Sequence, residues 1–263
     1  MYISIYQSVT SLPERCNAIF EAAKAQSYFF NRSWFELLEA QVFGPDGKTI
    51  EVVVVEGADE IPVAILPLAT GLVHGHNSGN HVAGLANYYT SLFSVIFDPV
   101  VGLSEEVAIQ LIGVLSERRP RFDTVWLWPL DNTCPQYRVL NQALSRSGFA
   151  VQEFFSFGNW YLEVAGRSYE QYLDSRPSIL KSTISRKSKK FLKSGGRLEI
   201  IRCGPAVESG IQAYEKVYSS SWKVPEPYPE FMRGLVRMAA QDGALRLGVA
   251  YVQDEPVAAQ LWL

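Results

Sequence analysis

Between Lys181 and Arg197 the sequence places seven cations, Lys181, Arg186, Lys187, Lys189, Lys190, Lys193 and Arg197, with no acidic residue among them. On a helix, Arg186, Lys190 and Lys193 stand at i, i+4 and i+7 and share one face. Leu180, Ile184 and Phe191 give such a helix an apolar side with which to pack down. Like charges this dense repel by a few tenths of a kcal/mol per pair, about 0.2–0.5, and contribute nothing to folding. The face therefore reads either as an anion site, for phosphates or a polyanionic glycan, or as a solvated surface. Nucleic acid fits less well: few aromatics interleave with the cations, and the chain as a whole carries a net charge of −3.

A second group is Tyr218, Trp222 and Lys223, where two helices of the C-terminal half meet. An indole there can flank a sugar or an acyl chain, or can be core, as Trp34 is expected to be in the first half. Gln260 points opposite to Leu261 on an apolar strand, and a polar group in that setting needs a partner. His74, His76 and His81 give His-x-His-x4-His in a Gly- and Asn-rich loop, but no Asp, Glu or Cys completes a zinc set nearby, so no metal is expected. Gly-x-Ser-x-Gly, Walker A and His-Glu-x-x-His are absent, and Gly204 to Gly210 lacks the lysine of a phosphate loop.

The elements that carry these residues repeat. Gly243 to Leu263 reads as a hairpin, with Leu245, Leu247, Val249 and Tyr251 alternating before the turn Gln253-Asp254-Glu255 and the return strand from Pro256. Glu51 to Leu68 reads the same way. Asp59-Glu60 precedes Pro62-Val63-Ala64 there, as Asp254-Glu255 precedes Pro256-Val257-Ala258. Ser33-Trp34 and Ser221-Trp222 lie upstream of the two hairpins, and a strand plus helix lies upstream of each pair. The offsets are 195, 188 and 194 residues, which suggests an internal duplication.

In order, the first half reads as strand 2–6, helix 11–25, helix 32–42, hairpin 50–68, an apolar aromatic segment 88–97, a helix from Ser104 to 118, strand 123–128, helix 135–147, and strands 149–155 and 158–164. A basic helix, 168–194, follows. The second half repeats strand, two helices and hairpin. The expected division is a first domain 1–165, a linking helix 166–196, and a second domain 197–263 that stops where the first would continue.

A 48 % hydrophobic, 13 % aromatic composition supplies packed cores. Three scattered cysteines, Cys16, Cys134 and Cys203, read as reduced thiols, and no signal peptide is visible, so a cytoplasmic protein is expected. The longest apolar runs are strand-length, so no integral membrane segment is expected.

Phe29-Phe30-Asn31-Arg32-Ser33-Trp34, Ile61 to Leu68, the basic run Arg186 to Gly196, Ser220-Ser221-Trp222-Lys223, and Gly243 to Leu247 with Pro256 to Gln260 together resemble the tandem GNAT (acyl-CoA N-acyltransferase) acetyltransferases, the CelD-like or BioF2-like group related to the Fem transferases. The resemblance implies an α/β protein of two GNAT-like mixed sheets with helices on both faces, the second truncated. It implies acyl transfer from acetyl-CoA or another acyl-CoA to a small-molecule or glycan amine, in cell-envelope or exopolysaccharide biosynthesis. The donor would lie along Gln260, Leu261, Trp262 and Leu263. Tyr218, Trp222 and Lys223 would border the acceptor cleft, and Arg186, Lys190 and Lys193 would meet anionic groups. In that fold pyrophosphate rests on amides of a glycine-rich turn. The first half offers there Phe97-Asp98-Pro99-Val100-Val101-Gly102-Leu103-Ser104-Glu105-Glu106, with one glycine and three carboxylates, so the donor is expected on the second half. The cofactor site of the chain is then expected to be incomplete and the chain inactive. No catalytic base is assigned. The alternatives are a Fem-like transferase using aminoacyl-tRNA, for which no long heptad arm is present, and a non-catalytic scaffold for an anionic glycan.

Overall fold

The computed structural model describes residues 1–71, 79–158 and 162–263, in two units, Met1–Ser156 and Phe157–Leu263.

The first unit is built on a five-stranded sheet, β1 (Tyr2–Tyr6), β2 (Thr49–Glu56), β3 (Pro62–Thr70), β4 (His81–Gly84) and β5 (Thr124–Trp126), in that spatial order. β1 to β4 pair antiparallel and β4 pairs parallel with β5. Val52, Val53, Val54 and Val55 are all fully buried. Successive side chains on a strand point to opposite faces, so four buried neighbours mean that both faces are covered. The covering helices are α1 (Asn17–Lys24), α2 (Arg32–Leu38), α3 (Glu105–Ser116) and α4 (Pro135–Arg146).

Local chemistry sets their ends. Asn31 Oδ1 accepts from the Trp34 amide at 2.7 Å, which caps α2 and seats Trp34 in the core, 1 % exposed, with Phe29 edge-on at 4.8 Å. Ser104 Oγ accepts from the Val107 amide at 3.3 Å, so the expected cap of α3 is present. Glu56, on β2, is buried with its charge met. One carboxylate oxygen accepts from Arg15 Nε at 3.1 Å and Nη2 at 2.8 Å, the other from Ser4 Oγ at 3.0 Å.

The apolar aromatic segment 88–97 forms no strand; only Ile96 bridges β3, exchanging two 2.8 Å hydrogen bonds with Ile65. The described residues of 149–155 and 158–164 form no strand either, and Phe154 and Phe155 are exposed. Phe154 stacks on Trp126 of β5 at 6.0 Å, so the segment passes the sheet edge, but a strand needs its amides and carbonyls paired along a neighbour, and the described residues here make no such ladder.

In the second unit the helix expected over 168–194 is two helices, α5 (Tyr169–Asp174) and α6 (Ser178–Lys193). Pro177 separates them: it lacks the N–H, and it forces Arg176 off helical geometry. Then come β6 (Gly196–Ile201), α7 (Ala206–Ser219), α8 (Pro229–Gln241), β7 (Arg246–Val252) and β8 (Glu255–Trp262), the strands antiparallel in the order β6-β7-β8. Ile201, Leu247 and Val249 are buried with Val207, Ile211, Phe231, Leu235 and Val236 of α7 and α8.

The two hairpins share their irregularities. Asp59 and Glu60 have φ of 57° and 58°, and Gln253 and Asp254 have 52° and 64°. In each the register slips one step past the turn. Ala64 faces Val55 but Pro62 faces Glu56; Ala258 faces Ala250 but Pro256 faces Tyr251. Val63 and Val257 are thus the bulged residues of the two return strands.

Candidate functional site

α6 leaves its cations unmatched. Among the described residues no ion pair engages Arg186, Lys187, Lys189, Lys190 or Lys193. All five are exposed. The flanking cations differ: Lys181 sits 3.6 Å from Asp174, and Arg197 pairs with Glu199 at 2.9 Å and lies over the Tyr251 ring at 4.2 Å. The apolar side packs lightly. Ile184 and Phe191 are half-buried, Leu180 is exposed, and α6 buries no residue fully, less than the sequence suggests. Phe191 is held by the turn after it. Gly195, at φ 75°, ends the helix in the left-handed conformation, and a Cβ on Gly196 would lie 2.5 Å from the Phe191 carbonyl oxygen.

The junction of α7 and α8 assembles two of the three residues expected there. Lys223 Nζ lies 5.3 Å from the centroid of the Tyr218 ring, and Tyr214 stands 6.0 Å from Tyr218. Burial, with Glu226 and Tyr218 nearby, pushes the Tyr214 hydroxyl above its ordinary range. Trp222 does not join them; it is 94 % exposed. Unlike Trp34 it is not on a helix. Pro225, Pro227 and Pro229 follow within seven residues and hold back the start of α8. No hydrogen bond, ion pair or ring contact joins the α6 cations to Tyr218 or Lys223 among the described residues.

Ion pairs tie α7 to α8. Arg233 reaches both Glu215 oxygens, at 2.6 and 3.2 Å, and Arg237 reaches both of Glu208, at 2.7 and 2.9 Å. The Arg237 hydrogen bonds hold the Glu208 carboxyl below its ordinary value of 4.5. A carboxylate with a lowered folded pKa stabilises above its unfolded value and loses that contribution as pH falls through the folded one. Glu208→Gln should therefore flatten the fall in urea midpoint below pH 4.5. Because the pair is exposed, the change near neutrality should be small. A pH series of urea melts of the wild type and the variant reads this directly.

β8 carries the remaining expected residues. Gln260 is exposed and opposite in direction to the half-buried Leu261, as the alternation requires, and its Oε1 accepts from Trp262 Nε1 at 3.4 Å. Trp262 and Leu263 are exposed. Cross-strand register puts Leu198, Ala250 and Ala258 in one row and Ile200, Gly248 and Gln260 in the next. This face has a floor of small residues between taller Leu198, Ile200 and Trp262, all three exposed. The outer edge of β8 has no strand beside it among the described residues.

In the first unit the turn expected to be unsuited to pyrophosphate spends three of its amides on Asp98. The Val101 and Gly102 amides donate to the Asp98 carbonyl at 3.1 and 2.8 Å, and the Val100 amide to Asp98 Oδ1 at 2.8 Å. Glu105 is paired with Arg146. Amides turned onto Asp98 cannot also cradle a phosphate.

Residues 180–263 match the acetyltransferase (GNAT) domain family. The GNAT match opens within α6 and runs through β8, so it contains every site residue expected from the sequence. GNAT domains use an acyl-CoA as co-substrate. The α/β architecture of a five-stranded mixed sheet and a second three-stranded sheet with helices about them is consistent with a GNAT-like fold. No curated protein matches the chain. Among solved structures, a mutant of the BH1408 protein from Bacillus halodurans is 14 % identical over 61 % of this chain and 100 % of its own, with a TM-score of 0.37. A tetramutant of the same protein is 13 % identical over 60 % of this chain and 100 % of its own, with a TM-score of 0.36.

Among the described residues no group of three metal-ligating side chains forms, and no helix is long and apolar enough to cross a membrane. His81 is buried at the start of β4, while His74 and His76 lie outside the described residues.

Proposed function

We propose that this protein is an N-acyltransferase that takes its acyl group from an acyl-CoA and gives it to an amine, with an amino sugar or similar small amine of the cell envelope as acceptor. The GNAT match over 180–263 carries this reading. The amine lone pair attacks the thioester carbonyl, the C–N bond forms, the C–S bond breaks, and the CoA sulfur leaves with the electron pair while the ammonium loses its proton. That direct route needs positioning and carbonyl polarisation and no enzyme nucleophile.

In this reading Arg186, Lys190 and Lys193 meet the CoA phosphates. What supports it is that these cations stand exposed with no acid beside them, inside the matched segment, whereas Lys181 and Arg197 at the ends of the run are already paired. Tyr218 and Lys223 then border the acceptor, and the β8 residues Gln260 to Leu263 border the donor. Changing Arg186, Lys190 and Lys193 together to glutamine should weaken acetyl-CoA binding by about tenfold or more, equivalent to about 1.4 kcal/mol. Stability should hardly change, because none of the three is buried. Wild-type affinity should also fall as salt rises. Titration calorimetry on the full chain measures both, and equal affinity of the triple variant and the wild type would remove these residues from the site.

A further inference from the structure

The first unit contains a cavity of about 330 Å³ that acyl transfer on the second unit leaves unused. That size is at the small end of ligand sites, about 300–1,000 Å³. Its floor is apolar and buried: Phe30, Phe93, Phe97 and Leu140. Its rim is polar, with Asp131 exposed and Cys134 and Tyr137 half-buried.

Both walls are fixed by hydrogen bonds. On one side the Phe93 amide donates to the Pro129 carbonyl at 2.7 Å, and Ile96 is bonded to Ile65. On the other, Asp131 Oδ1 accepts from the Thr133 amide at 2.8 Å and hydroxyl at 2.6 Å, while Cys134 Sγ donates to the Asp131 carbonyl at 3.0 Å. Protein interiors are close-packed, so a void of this size with pinned walls and an open rim is a place for a ligand and not slack in the core.

The charge at the rim selects among ligands. Among the described residues of the lining Asp131 is the one carboxylate, and no Lys, Arg or His is among them. The N-terminus of α4 faces the same rim, but Pro135 removes one of its donors and the Asp131 carboxylate already occupies the Thr133 amide.

We propose that this cavity binds a small primary amine with an apolar body, its ring or chain against the phenylalanines and its ammonium at Asp131. The proposal does not depend on the acyl-donor reading, and its test uses no acyl-CoA. Cys134 is a built-in reporter, since it lines the rim while Cys16 is buried. In full-length protein carrying Cys203→Ser, 2-phenylethylamine should slow alkylation of Cys134 by iodoacetamide at least fivefold, and 3-phenylpropionate, of similar shape and opposite charge, should not. Asp131→Asn keeps the acceptor for Thr133 and should raise the amine concentration needed for half-protection about tenfold with an unchanged urea midpoint. Equal protection by amine and carboxylate, protection by neither, or an Asp131→Asn protein that binds the amine as the wild type does would each overturn the assignment.

Discussion

Replacing Trp34 with alanine is expected to destabilise the first unit by about 3–5 kcal/mol, and replacing Trp222 with alanine to change stability by no more than about 0.5 kcal/mol. The two tryptophans follow the same Ser and hold matching places before the two hairpins, yet their surroundings differ completely. Trp34 is 1 % exposed, on a capped helix, with Phe29 edge-on and Phe35 and Leu38 buried in the same helix. Truncation there removes a large apolar surface and leaves a void that pinned neighbours cannot fill. Trp222 is 94 % exposed and its loss uncovers nothing. Urea melts of the two variants separate the cases. A large loss at Trp222 would show the indole to be covered in solution.

Phe231→Ala should have an effect of similar size, about 3–5 kcal/mol, confined to the second unit. Phe231 is fully buried on α8 among Leu235, Val236 and Ala239. α8 packs on α7, which lies on the face of β6-β7-β8 that carries Ile201, Leu247 and Val249, and the opposite face, with Leu198, Ile200 and Trp262, is exposed. A sheet covered on one face buries less apolar surface than one covered on both, as β2 is, so the same truncation takes a larger share of its stability. Hydrogen exchange read by mass spectrometry should show β6, β7 and β8 losing protection while β1, β2 and β3 keep theirs. Loss of protection in both sheets together would contradict an effect confined to the second unit.

Both hairpins were legible because their signals are local. Alternation gives the strands, Asp59-Glu60 and Gln253-Asp254-Glu255 give the turns, and Pro-Val-Ala opens both return strands with a bulge at the valine. The Ser104 cap was legible for the same reason. What failed depends on partners distant in sequence. Residues 149–155 carry apolar and aromatic side chains suited to a strand, and Phe154 does reach Trp126 of β5, but backbone pairing depends on a register that composition does not set. Trp222 follows a serine as Trp34 does, which left a core role and a ligand-flanking role both open, but three prolines within the next seven residues keep it off a helix and in solvent. Pro177 was equally visible and divides the basic helix. The α6 cations were legible as a face, but their lack of acidic neighbours is a fact of packing. The cavity was not legible, since Phe30, Phe93, Asp131 and Leu140 meet only in the folded unit.

The acyltransferase reading is tested most directly by incubating the full-length protein with acetyl-CoA and a panel of amino sugars and small amines, and following both the free CoA thiol and the mass of each amine. The expected result is thiol release that depends on the amine, with one acetyl group added to the amine nitrogen. Acetyl-CoA that binds or is hydrolysed with no acetylated amine across the panel, or an anionic glycan that raises the melting temperature where acetyl-CoA does not, would contradict it.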